Sequence, residues 1–156
     1  MKIYKRLRAD HIFLDAVLRN KNDVFCFVAE TFARDGVVGH ARMLYASMIA
    51  REKAMSTGIG SGIGIPHAAS AEARAPAMLL IRLAEPIDFE ALDGLPVDII
   101  LALVVPENQT SLHLQILAGI SRLCEKTEFL DLVRNETDGK ALLEGIRRIE
   151  EGIAFH

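Results

Sequence analysis

The sequence has little of what several common classes of protein require. Its two cysteines, Cys26 and Cys124, both lie within helical patterns, so a disulfide framework is not expected. Lys and Arg number 18 against 21 for Asp and Glu, and no cluster of basic residues predicts a nucleic-acid surface. No apolar run approaches the ~18 residues of a membrane-spanning helix. Asp98 interrupts the longest candidate, residues 97–105.

Apolar residues, in contrast, are abundant. They make up 51% of the 156 residues, which is enough for a substantial core in a chain of single-domain length. The basic start, residues 1–6, has no apolar run behind it and does not predict a secretory signal. We therefore expect a cytoplasmic protein, one domain over residues 1–156, with no membrane insertion and no nucleic-acid partner.

Helical and strand-like patterns alternate along the chain, which predicts an α/β domain. Helices are predicted at about 24–36, 40–54, 110–124, 127–134 and 138–150, with strands at 77–83 and 99–105. Residues 12–18 fit either a strand or a buried turn, 68–75 a loop, and Asp93-Gly94 a tight turn. The run 99–105 is apolar throughout, which is typical of a central strand covered by helices. Asn108 or Thr110 is expected to cap the helix that follows.

The stretch 51–67 is the most distinctive part of the sequence. Glycine occurs at every second position, at Gly58, Gly60, Gly62 and Gly64. In an extended chain these glycines would share one side and leave bare backbone for close approach, while Ile59, Ile63 and Ile65 would point into a core. Their spacing differs from a dinucleotide fingerprint, and the Gly-Lys-Ser/Thr of a P-loop is missing. Pro66 fixes its own φ angle and favours an extended conformation at Ile65, so His67 should be held in place after a rigid, extended run.

These motifs resemble the IIA components of the phosphoenolpyruvate-dependent phosphotransferase system, of the fructose, mannitol and nitrogen-regulatory type. The resemblance rests on residues 51–53, 56–60, 62–67, 86–87, 96–98, 103–106 and 109–114, and covers roughly 40–135. Gly64 stands where alanine is usual and Ala68 where glycine is usual. The resemblance implies a single α/β domain with a mixed, mostly parallel sheet flanked by helices on both faces, the mannitol-type IIA fold.

The resemblance also assigns roles to individual residues. His67 would accept a phosphoryl group from the carrier HPr, His113 would stabilise that group, and Arg51 would bind its oxygens. The alternatives are a loop histidine without a role, a histidine that caps a helix start, and a solvated cation at a helix end. Ser56 and Thr57 either donate hydrogen bonds near the site or serve as turn residues.

No cofactor or metal is expected, because the phosphoryl donor arrives already phosphorylated. A zinc site of His67 and His113 would need a third ligand, and no spacing supplies one. The remaining histidines, His11, His40 and His156, have no supporting context and are predicted at the surface. Cys26 and Cys124 are predicted to pack in the interior, and 147–151 to form a solvated helix end.

Two functions compete, and a third is weaker. A phosphocarrier would pass the group from HPr to a cysteine on a IIB domain during sugar uptake. A regulatory protein would be phosphorylated in the same way but would bind or release a target protein. The chain carries no fused IIB segment, which favours the nitrogen-regulatory branch. The third is a sensing module that binds an anion without turnover, and the presence of His67, His113 and Arg51 together speaks against it.

Overall fold

The apolar run that ends at Pro106 forms the central strand of a mixed sheet. The structure is a computed structural model that describes residues 2–152, in which six strands form one sheet. The strands are β1 (Ile12–Ala16), β2 (Gly58–Gly60), β3 (Ile63–Gly64), β4 (His67–Ser70), β5 (Ala77–Ile87) and β6 (Val97–Pro106). The helices are α1 (Lys21–Arg34), α2 (Ala41–Ala54), α3 (Thr110–Cys124), α4 (Thr127–Asn135) and α5 (Gly139–Glu151). Two short 3-10 helices, Ile3–Arg6 and Ala9–His11, precede β1.

Strand β6 organises the sheet because it pairs on both of its edges. On one edge it runs antiparallel to β5, which in turn pairs in parallel with β1. On the other edge β3 and then β4 lie one after the other, both parallel to β6, and β2 pairs antiparallel with β3. Three of these five pairings are parallel, as the mostly parallel sheet requires, although the longest pairing, β5 with β6, is antiparallel.

Helices cover both faces of this sheet, and alternation along the strands divides the core between them. Leu80 and Leu101 point to the layer of α3, α4 and α5. Ile81 and Ile100 point to the layer of α1 and α2. The central residues of β5 and β6 are therefore buried on both faces, which explains the unbroken apolar runs 77–81 and 99–105.

The predicted helices are confirmed, and several details of the sequence interpretation change. Residues 12–16 are a strand, and β5 continues past Leu83 to Ile87. The prediction of a loop at 68–75 is wrong for its first part, because 67–70 form β4 beside β6. The N-cap of α3 is Gln109, without a side-chain hydrogen bond, so neither Asn108 nor Thr110 caps it. No helix among residues 2–152 is long and apolar enough to span a bilayer.

The glycine-rich stretch is a hairpin, so the prediction of one extended run is wrong. The chain reverses between β2 and β3 through positive φ angles at Gly60 (104°), Ser61 (58°) and Gly62 (80°), a region that glycine adopts without strain. The glycines therefore do not line one side of a strand. Ile59, expected in the core, is 40% exposed, whereas Ile63 and Ile65 are buried as predicted.

The predictions of burial for the other histidines and for the cysteines are also only partly correct. His11 is 3% exposed and lies beside Asp35, so the prediction of a surface position is wrong, while His40 is exposed. His156 lies outside the described residues. Cys124 is buried as predicted, whereas Cys26 is only partly buried. The local sequence does not predict how deeply these side chains are buried, because burial depends on the segments that pack against each of them.

Candidate functional site

A break in the strand at Ile65 and Pro66 places His67 at the start of β4, which lies beside β6. The Pro66 carbonyl accepts a hydrogen bond from the backbone N–H of Leu103 (3.0 Å), and His67 is in register with Leu103. Ile65 and Pro66 thus separate β3 from β4, two short strands that both pair in parallel with β6. His67 remains half-buried, so its imidazole is oriented by the sheet and still accessible from outside.

Two hydrogen bonds define the tautomer of His67. Nδ1 lies 2.7 Å from the carbonyl oxygen of Ile65, which can only accept, so Nδ1 carries the proton. Nε2 receives the Nε–H of Arg51 at 3.2 Å and therefore presents its lone pair. A neutral imidazole in this tautomer has a nucleophilic Nε2 that needs no base to remove a proton.

The electrostatic surroundings favour that neutral form. Burial lowers the pKa of His67, the hydrogen bond to Ile65 raises it, the Arg51 charge lowers it and the Glu52 charge raises it, with a net lowering. At neutral pH the imidazole is therefore uncharged, and its Nε2 lone pair is available.

His113 lies one turn into α3, which begins just after β6 ends, and its ring faces that of His67. The ring centroids are 5.3 Å apart, and the planes meet at 82°. Burial lowers the pKa of His113, and the neighbouring His67 and Arg51 lower it further. Its Nε2 is buried and, within residues 2–152, is the one buried side-chain nitrogen or oxygen without a hydrogen-bond partner. Buried polar atoms are normally hydrogen-bonded, so this nitrogen retains the capacity to form a hydrogen bond with a bound group.

Arg51 comes from the last turn of α2, in the opposite helix layer, and completes the cluster. Its Nη1 donates to the carbonyl oxygen of Met55 (2.9 Å), which anchors the guanidinium while Nε reaches His67. The structure therefore brings together His67, His113 and Arg51, from β4, α3 and α2. One cation and two neutral imidazoles around a half-open position suit a tetrahedral anion. The chemical roles of these residues remain predictions.

Ser56 and Thr57 lie close by in sequence, but their hydroxyl groups are engaged elsewhere. Ser56 Oγ donates to the carbonyl oxygen of Phe89 (2.8 Å), and Thr57 Oγ1 donates to Glu52 (2.5 Å). The backbone N–H of Thr57 also donates to Glu52 (2.7 Å). These contacts favour the turn-residue alternative. Glu52 lies within the motif 51–53 on which the resemblance rests, but the resemblance assigns no role to it.

A metal centre finds no support at this cluster. No group of three His, Cys, Asp or Glu side chains within the described part of the chain could hold a metal ion. The nitrogens of His67 contact an arginine and a carbonyl group, and Nε2 of His113 is buried without a partner. A guanidinium beside two imidazoles suits an anion better than a metal ion.

Fold and site together define this chain as an α/β domain of the phosphotransferase IIA class. A family model described as "Phosphoenolpyruvate-dependent sugar phosphotransferase system, EIIA 2" matches residues 5–149, and the chain belongs to this family. A nitrogen regulatory protein from Pseudomonas aeruginosa is 34% identical over 133 residues, 85% of this chain and 86% of that protein. Alignments with nitrogen regulatory proteins of several other bacteria span 54–66% of those proteins.

Solved structures agree with this assignment. The nitrogen regulatory protein IIA-Ntr from Neisseria meningitidis has a TM-score of 0.86 and 29% identity, covering 92% of this chain and 98% of that one. The mannitol IIA enzyme of Escherichia coli, solved in complex with phosphorylated mannitol IIB, has a TM-score of 0.75 and 18% identity, covering 90% and 96%. The second likeness supports the fold alone.

Proposed function

We propose that this protein is a histidine phosphocarrier of the nitrogen-regulatory type, which accepts a phosphoryl group from an HPr-type carrier on His67 Nε2. One observation carries the proposal: the Nε2 lone pair of His67 meets the Arg51 guanidinium, and the ring of His113, whose Nε2 has no partner, lies edge to face against the His67 ring. The relatives named above support the regulatory branch, because the nitrogen regulatory proteins among them align over most of this chain.

The chemistry follows from the tautomer. The Nε2 lone pair of His67 attacks the phosphorus of the donor phosphohistidine, the donor P–N bond breaks, and its electron pair returns to the donor imidazole. No proton has to leave His67, because its proton already sits on Nδ1. The imidazolium that forms stays bonded to the Ile65 carbonyl, which stabilises its positive charge. The protein therefore needs only positioning and electrostatic stabilisation.

Arg51 and His113 supply that stabilisation. In the structure Arg51 donates into the lone pair that must attack, so the guanidinium has to shift aside as phosphorus approaches. Its planar fork can then bind two phosphoryl oxygens at once. A neutral His113 with its proton on Nε2 can donate to a third oxygen, which would satisfy the buried atom that now lacks a partner.

The proposal includes the partners and the setting. The whole chain, residues 1–156, acts as one IIA domain in the cytoplasm, where a phosphorylated HPr-type carrier reaches it. Its output is binding to or release from a target protein. The named partners are thus an HPr-type phosphocarrier and a regulatory target, with a IIB domain as the alternative.

Phosphate labelling tests the proposal. Incubation with phosphoenolpyruvate, enzyme I and HPr should add one acid-labile, base-stable phosphoryl group, and ³¹P NMR or mass spectrometry should map it to His67. A phosphoryl group on any other residue would contradict the proposal. No phosphorylation at all, with HPr itself phosphorylated, would instead favour a module that binds an anion without turnover.

The alternative function is a sugar-specific IIA protein that passes the group to a IIB cysteine during fructose or mannitol uptake. The mannitol IIA enzyme whose fold this chain shares was solved with its phosphorylated IIB partner, which favours keeping this alternative. The phosphorylated protein should be mixed with purified fructose and mannitol IIB domains. A regulatory protein should retain its label, whereas rapid transfer to a IIB cysteine would support the transport function.

A further inference from the structure

A chain of hydrogen bonds links the carboxylate of Glu52 to the imidazole of His67. Glu52 accepts from the backbone N–H of Thr57 at Oε2 (2.7 Å) and from its hydroxyl at Oε1 (2.5 Å). The Thr57 carbonyl accepts from the N–H of Ile65 (2.9 Å), whose own carbonyl accepts from His67 Nδ1 (2.7 Å). Glu52 is thus connected to the imidazole through Thr57 and Ile65 without touching it.

The surroundings of Glu52 fix its carboxylate in one orientation. Its side chain is only 7% exposed, and Lys21 Nζ of α1 lies 2.9 Å from Oε2. Lys21 is itself held over the ring of Phe89, at 5.0 Å from the centroid. Two carboxylate oxygens thus meet three donors, two of them from Thr57. A buried carboxylate with matched donors is a rigid anchor, because any rotation would leave a charged group without its partners.

The Glu52 carboxylate is hydrogen-bonded to the segment 55–57, and this segment positions both groups that bond to His67, namely Arg51 and the Ile65 carbonyl. The Met55 carbonyl accepts from Arg51 Nη1, whose Nε reaches His67 Nε2. The Thr57 carbonyl aligns Ile65, which bonds His67 Nδ1. A shift of this single turn would therefore disturb the proton on one ring nitrogen and the donor on the other.

We infer that Glu52 is a positioning residue, which acts through Thr57 and Ile65 to keep the proton of His67 on Nδ1 and the lone pair on Nε2. The inference rests on the proposed role of His67 as phosphoryl acceptor. A purely structural role is the competing explanation, in which the Glu52–Lys21 ion pair only joins the end of α2 to the start of α1. The two differ in what they predict for the imidazole.

The tautomer of His67 distinguishes them and needs no partner protein. In ¹⁵N NMR of the unphosphorylated full chain, the wild type should show His67 protonated on Nδ1. In Glu52→Gln the amide NH₂ replaces one carboxylate oxygen and cannot accept a hydrogen bond, so at least one bond from Thr57 or Lys21 is lost. We expect a measurable Nε2–H population, and phosphoryl transfer from HPr about 10- to 100-fold slower, since small misplacements of reacting groups have costs of this order.

Thr57 offers a matched pair of variants that leaves the ion pair intact. Thr57→Val keeps the shape and the backbone N–H but removes the hydroxyl that Glu52 accepts. Thr57→Ser keeps the hydroxyl and should restore the wild-type tautomer and most of the rate. This pair also decides the inference if Glu52→Gln fails to fold: a wild-type His67 tautomer and rate in Thr57→Val would then overturn it.

Glu90→Gln is the control for charge alone. Glu90 also approaches Lys21, at 3.6 Å, but its side chain is 78% exposed. This variant should show the wild-type His67 tautomer and the wild-type rate. A folded Glu52→Gln with both properties unchanged would overturn the inference, while wild-type protein that is not phosphorylated on His67 would overturn the proposed function instead.

Discussion

Two pairs of histidines in this protein have opposite surroundings. His11 and His40 each lie against a carboxylate, with Nε2 of His11 at 2.9 Å from Asp35 and Nδ1 of His40 at 2.6 Å from Glu72. His67 and His113 face no carboxylate. They face a carbonyl group, a guanidinium and each other.

The difference separates a histidine that supports structure from one that can act as a nucleophile. At His11 and His40 a carboxylate is bonded to one ring nitrogen and ties the imidazole to a distant segment of the chain. At His67, burial and the Arg51 cation lower the pKa by more than the hydrogen bond to the Ile65 carbonyl raises it, so the ring is neutral with a lone pair on Nε2. The chemistry thus follows from which groups surround the ring. The predictions below test this comparison, beginning with the largest expected effect.

The largest effect should come from exchanging each kind of histidine for alanine. His67→Ala should accept no phosphoryl group from HPr, because the nucleophilic Nε2 is gone. His40→Ala, in which an exposed imidazole bonded to Glu72 is lost, should be labelled like the wild type. Labelling with ³²P measures both. Continued labelling of His67→Ala would mean that another residue accepts the phosphoryl group.

Removal of the guanidinium should have the next largest effect. Arg51→Ala should slow phosphoryl acceptance by about 10²- to 10³-fold, the scale for loss of one preorganised donor in a transition state. Arg51→Lys should recover only part of this rate, because an ammonium group lacks the planar fork. Rapid-quench kinetics would measure the rates.

Arg42, exposed on the same helix, provides the matched control. Arg42→Ala should keep the wild-type rate. Because the Arg51 charge lowers the pKa of His67, that pKa should also rise in Arg51→Ala. An unchanged rate in Arg51→Ala would reduce this arginine to a solvated cation at a helix end.

Leucine at His113 and at His11 should change stability in opposite directions. His113→Leu removes a buried nitrogen without a partner, so the variant should gain about 1 kcal/mol in the free energy of unfolding. Its onward phosphoryl transfer should nevertheless be slower. His11→Leu should be less stable than the wild type, because Asp35 loses its partner.

Urea denaturation would measure the two free energies of unfolding. A loss of stability in His113→Leu, with unchanged phosphoryl transfer, would show that His113 supports the helix start and not the site. Such a result would group His113 with the structural histidines, and His67 would then be the one histidine of the proposed site.

The smallest effect concerns pH. The pKa of His67 is lower in the folded protein than in the unfolded chain, mainly because the ring is buried. The unfolded chain therefore binds more protons below its ordinary His pKa of about 6.5. The stability that this ring contributes should be fully present above that pH and should be lost as pH falls through the folded-state pKa.

His67→Ala should flatten that part of the stability profile. Thermal unfolding between pH 5 and 8 would measure it, with His40→Ala as the control. An identical pH dependence in His67→Ala and the wild type would contradict the lowered pKa.

Local patterns predicted the regular elements well, and the resemblance identified the cluster. Every predicted helix is present, and the apolar run 99–105 is the central strand, because burial on both faces leaves a direct mark on composition. The motif around His67 named three residues that the structure brings together from three separate elements.

Other features depend on pairing with distant segments. The alternate glycines fitted an extended strand equally well, and only the pairing of β2 with β3 makes them a hairpin. Strand β4 is short and rich in alanine, so it becomes a strand only beside β6. Burial of His11 and the hydrogen bonds of Glu52 likewise have no local signal.

The sequence by itself determined where the five helices and the two long strands form and which imidazole follows the Ile-Pro step, since periodicity and backbone restriction act over a few residues. The tertiary structure alone decided the tautomer of that imidazole, the lack of a hydrogen-bond partner at His113 Nε2 and the contact of Glu52 with the segment 55–57. Those properties depend on hydrogen bonds and burial between groups from separate elements, which exist only once the sheet and its two helix layers have assembled.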